Sequence, residues 1–415
     1  MFCRLTRGYI TLSGKSTASY GDPVELSQRV RRIKPSPTLA ITARAAQLRA
    51  AGKDIIGFGA GEPDFDTPEH VKQAAIEAIR AGFTKYTAVA GTPQLRQAVA
   101  DKFKRDNGLD YRPDQTLVSV GGKQSFYNLA QALLSPGDEV IIPAPYWVSY
   151  PDMVLLADGL PVIVEGGIDQ GFKITPQQLA AAITPRTRLV VINSPSNPTG
   201  ATYSRAELAA LGEVLRAHPN VVVASDDIYE HIRLDDEPFC NILMACPELY
   251  EQAIVLNGVS KAYSMTGWRI GYAAGPKPLI SAMTNIQSQS TSNPASISQA
   301  AALAALNGDQ SFISEMNKAF RERHEFVVDA LNDIAGVRCL RSQGAFYAFP
   351  LMQEAIDRLS GVEDDVAFGE YLINEAGVAL VPGSAFGAPG CMRLSFATGM
   401  NNLKAGIERI ARVLA

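Results

Sequence analysis

The run Leu189-Val190-Val191-Ile192-Asn193-Ser194-Pro195, the helical stretch over 205–217 and the second run Val221-Val222-Val223-Ala224-Ser225-Asp226 decide the fold. Each run opens with four consecutive apolar residues. That is too short for a helix, and it lacks the polar alternation of a half-solvated strand. Such runs fit strands buried on both faces of a sheet. With a helix between them they form a βαβ unit, whose two strands lie parallel. The pattern extends outward from there. Strands are expected over 116–120, 139–142 and 161–164, with a helix over 123–134, and further strands over 254–256 and 270–273. The fold class is therefore α/β, with a large domain built on a mainly parallel sheet.

Punctuation marks two helices upstream. Thr92-Pro93 supplies an N-cap and a proline at the first helical position, and Leu95, Val99 and Phe103 recur on one face. Thr67-Pro68 predicts the same start for a helix closed by Gly82. After Pro276 two long helical stretches are expected, up to about residue 334. Beyond them a smaller α+β unit is expected, with strands near 337–340, 345–349, 378–381 and 393–396. The last helix carries Leu403, Ile407, Ile410 and Leu414 on one stripe. The division is a large domain over 66–305 and a small C-terminal domain over 306–415, to which the segment 23–65 contributes. Residues 1–22 carry Arg4, Arg7 and Lys15 and no acid before Asp22, which reads as a disordered extension or an organelle transit peptide.

Composition removes several classes of function. The chain has 415 residues, 47% apolar and 19% charged, enough to bury a large core without staples. Its formal net charge of −4 gives no general electrostatic pull toward nucleic acid or an anionic membrane. No apolar run is long enough for a transmembrane helix. Five scattered cysteines form no C-x-x-C, which favours a reducing compartment, here the cytoplasm, over a zinc site. Four histidines show no metal-ligand spacing, so no metal is expected.

Ligands of open α/β sheets bind outside the carboxyl ends of the strands, so the residues after each strand matter. They are Gly121-Gly122-Lys123, Pro145-Tyr146-Trp147, Asn197-Pro198-Thr199-Gly200, Asp226-Asp227-Ile228-Tyr229 and Ser260-Lys261, with Arg269 eight residues on. Taken singly each has an ordinary reading. Gly121-Gly122 before a helix is a plain turn or a phosphate cradle. The glycines at 57, 59 and 61 fail as a dinucleotide fingerprint, because Glu62 stands at its last position. Asp226 closes an apolar strand, and a buried acid needs a partner, either an arginine, a helix N-terminus or a cationic ligand. Lys261 has Tyr263, Met265 and Trp268 as neighbours, a setting that lowers a lysine's pKa toward a usable nucleophile. Together they offer an amine, a carboxylate, an aromatic plate, a phosphate cradle and an arginine, the set that pyridoxal 5′-phosphate (PLP) requires.

On these residues the chain resembles the fold-type I, class I aminotransferases, and within them the bacterial enzymes that act on aspartate and, in some relatives, prephenate. The resemblance runs from about Leu26 to Ala415. It is carried by Gly59-Ala60-Gly61-Glu62-Pro63-Asp64-Phe65, Lys85-Tyr86-Thr87, the five loops above, Ser260-Lys261-Ala262-Tyr263-Ser264-Met265-Thr266-Gly267-Trp268-Arg269 and Arg393-Leu394-Ser395. It implies that Lys261 binds the cofactor covalently and later shuttles a proton. It implies that Asp226 pairs with the pyridine nitrogen and that Tyr229 and Asn197 hydrogen-bond the phenolic oxygen. Trp147 stacks on the ring, and Gly122, Lys123 and Arg269 hold the phosphate. It further implies that Tyr86 reaches the phosphate of the other subunit's site, and hence a homodimer. Arg393 clamps the substrate α-carboxylate, Gly61 adds a backbone contact, and Lys34 and Lys123 are the candidates for a distal carboxylate. Some relatives carry a serine three residues before the lysine; here that position is Gly258.

The activity so implied is ping-pong transfer of an amino group between aspartate or glutamate and 2-oxo acids, with prephenate as a further acceptor. The alternatives are an aminotransferase acting mainly on prephenate or aromatic 2-oxo acids, and a PLP-dependent β-lyase. Asp227 is expected to be a solvated or structural neighbour of Asp226.

Overall fold

The computed structural model describes residues 24–35 and 37–415; the extension expected over 1–22 lies outside them. Among the described residues there are twelve strands: β1 (Ile56–Gly57), β2 (Thr116–Ser119), β3 (Glu139–Ala144), β4 (Leu160–Glu165), β5 (Thr187–Asn193), β6 (Val222–Asp226), β7 (Ala253–Gly258), β8 (Gly271–Ala274), β9 (Tyr347–Ala348), β10 (Val378–Ala379), β11 (Val381–Pro382) and β12 (Met392–Ser395). Seven of them form one sheet in the order β2-β8-β7-β6-β5-β3-β4. All its pairings are parallel except those of β8, which runs antiparallel to both β2 and β7.

Both faces of this sheet are covered, and the side-chain alternation shows it. Val190 and Ile192 of β5 join one apolar cluster with Val223 and Val255, while Leu189 and Val191 join another with Ala224 and Ile254. A strand of that kind has no polar side, hence the continuous apolar run in the sequence. The helix Arg205–Arg216 makes the βαβ crossover, opened by a capping box between Ser204 and Glu207.

A second core gathers Phe320, Phe346, Phe368, Leu403 and Ile407 around the helices Ser311–Asn332 and Met400–Leu414. β9 and β12 of the antiparallel trio β11-β12-β9 and residues of the parallel pair β1-β10 pack into it, while Val381 of β11 packs with Phe349 and Phe386. Since β1 lies near the amino end and β10 near the carboxyl end, both ends of the chain build this part of the molecule.

Three expectations need correction. The stretch after Pro276 holds three helices, Lys277–Ser288, Ser296–Asn307 and Ser311–Asn332, because Pro294 and the Gly308 turn interrupt it. The strand expected near 337–340 is reduced to an isolated bridge between Arg338 and Leu351. Thr67 is not an N-cap: the helix starts at Glu69 after Pro68, and the Thr67 hydroxyl instead donates to Ser264 O at 2.7 Å and accepts from the Trp268 indole at 3.0 Å. Thr92 does cap its helix, accepting from Leu95 N. Among the described residues no helix is long and apolar enough to cross a membrane.

Candidate active site

The sheet brings its carboxyl ends to one edge. Asp226, the last residue of β6, stands in register with Asn193, the last of β5. Asn193 clasps two loops: its amide donates to Asp226 O at 3.0 Å, and its oxygen accepts from Asn197 N at 2.9 Å. The Asp226 carboxylate accepts from the Tyr150 hydroxyl and from Ile228 N at 3.3 Å. Burial pushes its carboxyl above the ordinary range, while Tyr150, Ile228 and the charge of Lys261 pull the other way. Its two hydrogen-bond donors are therefore neutral groups, so its charge is left for a cationic N–H.

Lys261 lies in the turn that follows β7. Its ammonium donates to Gly61 O at 2.5 Å and sits 5.8 Å from the centre of the Tyr229 ring. Burial first, then the nearby Arg393 charge, lower its pKa to about 8. A lysine so poised is partly free amine near neutral pH. The buried Tyr229 hydroxyl shares a 2.9 Å hydrogen bond with that of Tyr347.

Arg393, on β12, is 2% exposed. It donates to Asn197 Oδ1 and to Gly59 O, each at 2.8 Å, between the rings of Tyr347 and Phe386. Its Nε is buried with no partner among the described residues. An unpaired guanidinium N–H in such a place is costly unless a ligand takes it up, and a carboxylate does so with two oxygens.

Gly121 adopts φ +80°, and a Cβ there would strike the Arg269 guanidinium. The absent side chain leaves Arg269 beside the first turn of the helix Gly122–Leu133. The Gly122 and Lys123 amides, at that N-terminus, find no acceptor among the described residues. Unpaired amides facing an exposed arginine make an anion cradle. The Trp147 ring lies edge-on to Tyr150 at 5.2 Å and beneath the Lys123 ammonium, also at 5.2 Å. Partial burial, then the Arg269 charge, lower the pKa of Lys123. An amine, a carboxylate, an indole plate and an anion cradle are what PLP needs, and the free Arg393 Nε adds a place for a carboxylate.

Two sequence candidates stand apart. Tyr86 is 93% exposed. Lys34 is exposed, and its backbone N–H and its charge act on Asp152 in the helix Ser149–Leu156.

Sequence reasoning assigned no role to Tyr150, Asn193 or Tyr347, nor to Gly59 as the acceptor for Arg393. A signal existed for Tyr150, since a tyrosine in an apolar helix must find a partner for its hydroxyl. Asp227 is not solvated: it is 1% exposed, accepts from Ser225 and Asn241 at 2.7 Å each, and is pushed up to about 7 by burial and by Glu230.

Comparison with known proteins agrees with this geometry. The family "Aminotransferase class I and II" matches residues 53–410. The aspartate/prephenate aminotransferase of Nitrosomonas europaea is 62% identical over 397 residues, covering 94% of this chain and all of that one. The aspartate aminotransferase structure from Rhizobium meliloti superposes with a TM-score of 0.91 at 49% identity, covering 94% of this chain and 99% of that one. That of Thermus thermophilus with maleate gives 0.88 at 46%, covering 94% and 100%. With a family match over most of its length and relatives of this identity, the chain belongs to the class I and II aminotransferases, a family of PLP-dependent fold-type I enzymes.

Proposed function

We propose that this protein transfers the amino group of L-aspartate or L-glutamate to 2-oxo acids such as 2-oxoglutarate and oxaloacetate, with prephenate as a further acceptor. The observation that carries the reading is the buried Arg393 with its unpaired Nε, on the same side as the depressed amine of Lys261. Names of relatives that specify aspartate or prephenate, and a related structure with maleate, a dicarboxylate, support it.

When bound, PLP supplies an aldehyde that captures an amine and a ring that accepts the electrons released when the substrate Cα loses a proton. The residues supply the rest. Lys261 Nζ would hold the cofactor and, as a free amine, would carry the Cα proton. Asp226 keeps a proton on the ring nitrogen by accepting its hydrogen bond. Tyr229 and Asn197 donate to the phenolic oxygen, and Trp147 covers one ring face. The amides of Gly122 and Lys123, with Arg269, hold the phosphate. Arg393 binds the α-carboxylate as a fork, with Gly61 alongside. Two copies form a dimer in which Tyr86 of each chain serves the phosphate of the other's site; an almost fully exposed tyrosine beside the exposed Phe83 and Ile79 suits that role. We read a cofactor-binding domain over 66–305 and a small domain from 23–65 and 306–415, a division that the separate core around Phe320 and Leu403 supports, and the buried free thiols suit the cytoplasm.

Arg393 alone does not separate aspartate from alanine, so a second cation must meet the distal carboxylate. We assign Lys123 and Lys34. A charge-assisted hydrogen bond contributes roughly 1.5–3 kcal/mol. Lys123→Ala and Lys34→Ala should each lower kcat/KM for aspartate by at least about tenfold and spare alanine and phenylalanine; Lys34→Ala should also weaken prephenate use. Equal losses on charged and neutral substrates would refute this assignment. A panel of aspartate and glutamate against 2-oxoglutarate, oxaloacetate, prephenate and phenylpyruvate tests the reading as a whole. Release of pyruvate and ammonia from an amino acid with a leaving group on Cβ, such as cystathionine, would point to the β-lyase instead.

A further inference from the structure

Behind the candidate site lies a group of buried charges that the proposed chemistry does not use. Lys102, on the helix Pro93–Asn107, has no exposed surface. Its ammonium donates to Glu230 and, at 2.8 Å, to Asn107 Oδ1. Glu230 is 4% exposed, and both its oxygens are used: one accepts from Lys102 and from Asn257 Nδ2 at 2.7 Å, the other from Asn107 Nδ2 at 2.7 Å. Asp106 and His231 stand at its rim, with His231 Nε2 3.3 Å from Glu230 and 3.4 Å from Asp106. Carboxylates and an imidazole this close suggest a metal site, but the Lys102 ammonium already provides the cation.

The connections matter more than the charge. Glu230 directly follows Tyr229 in the turn that begins at Asp226, a turn held by the bond from Glu230 N to Asp227 O at 2.9 Å. Asn257 lies on β7, four residues before Lys261, and its own oxygen accepts from Gly258 N at 2.7 Å. A single carboxylate therefore fastens the turn that carries Asp226 and Tyr229 to the strand end that leads to Lys261. A buried ion pair adds little stability over an apolar replacement, but an anchor of several directed bonds restricts geometry. We propose that Lys102, Glu230 and Asn257 form a positioning network that fixes Asp226 and Tyr229 relative to Lys261, with Glu230 as its hub. None of the three is a catalytic residue. The proposal rests on the reading of Lys261 as the cofactor-bearing lysine.

The test is a pH titration of the visible absorbance of the PLP-loaded enzyme, read beside kcat, KM and Tm. Asn257→Ala cuts the tether and leaves the Lys102–Glu230 pair intact. It should move the midpoint of the titration by about half a pH unit or more and lower kcat by about tenfold or more, since small misplacements are costly in catalysis, with KM changed much less. The double variant Lys102→Met/Glu230→Gln removes both charges but keeps an acceptor for Asn257, and should titrate like the parent. Lys102→Met/Glu230→Met breaks the tether without stranding a charge and should behave like Asn257→Ala. A parental midpoint and kcat in both tether-cutting variants would overturn the proposal. So would the failure of both to give folded holoenzyme, which would assign the network to folding alone. If instead the parent protein gained no visible absorbance with PLP, it is the cofactor reading that would fall.

Discussion

At the residue scale, environment converts ordinary side chains into chemical ones. Lys261 has its pKa lowered to about 8, first by burial, whereas an unfolded lysine titrates near 10.4. Between those values the unfolded chain binds more protons, so stability rises with pH across that window, and below about 8 the full cost of the buried charge is present. Cofactor-free Lys261→Met should therefore be more stable than the parent at pH 7, by about 1–3 kcal/mol, and the difference should shrink as pH rises from 8 to 10. Denaturant melts at the two ends of that range check it. Borohydride reduction of the PLP-loaded parent followed by peptide mapping should label Lys261, and labelling elsewhere would refute the assignment. Tyr150 acts on the other pole of the site. Its hydroxyl is one of two donors to the Asp226 carboxylate, so Tyr150→Phe should raise that carboxyl further and move the acid limb of kcat upward by about half to one pH unit. An unshifted limb would mean that Asp226 does not govern it. Asp226→Glu should retain more activity than Asp226→Ala. Asp226 was legible because it ends an apolar run with a charge, and Lys261 because apolar and aromatic residues surround it in the sequence. The partner of Tyr150 was not: Asp226 is 76 residues away, and only the fold brings them together.

At the scale of elements, legibility followed burial and length. The long strands β5 and β6 announced themselves by continuous apolar runs, and the helix starting at Pro93 by its threonine cap. The small antiparallel trio was located but not bounded: the strand expected near 345–349 is β9 with two residues, and the one expected near 378–381 divides into β10 and β11 with two each, too few to establish a period. Thr67 misled because the same dipeptide that caps a helix also fits a loop whose hydroxyl is claimed by tertiary partners. Gly258 shows an element deciding a residue. It pairs with Gly271 across β7 and β8, and a Cβ at 258 would lie 3.0 Å from Gly271 Cα and from Ile270 O. Both neighbours are backbone and cannot turn aside. The serine that some relatives carry at this position would crowd this backbone, so the proposed phosphate site relies on Arg269 and the Gly121 turn. Gly258→Ser should thus cost about 1–3 kcal/mol through overpacking and should not tighten PLP binding. A tighter Kd for PLP with unchanged Tm would contradict this account.

For the whole molecule, the remaining question is whether a site is complete within one chain. Lys261, Asp226, Arg393 and the cradle are assembled by a single copy, but Tyr86 projects into solvent at 93% exposure, with no hydrogen-bond partner for its hydroxyl among the described residues. If its hydroxyl serves the phosphate of a partner's site, each site of a dimer draws on both copies, and two defective chains can make good one another's loss. A chain with Lys261→Ala lacks the amine but still offers Tyr86 across the interface. A chain with Tyr86→Ala keeps its own amine. In the mixed dimer one site holds both intact residues and the other holds neither. After random exchange half the dimers are mixed, so about one quarter of the sites should be restored. Activity of the mixture should rise to that level, well above the average of the two variants alone, and subunit exchange under mild denaturant followed by activity assay measures it. If Tyr86 acted within its own chain, no site in the mixed dimer would be whole, and the mixture would show only the average of its parts.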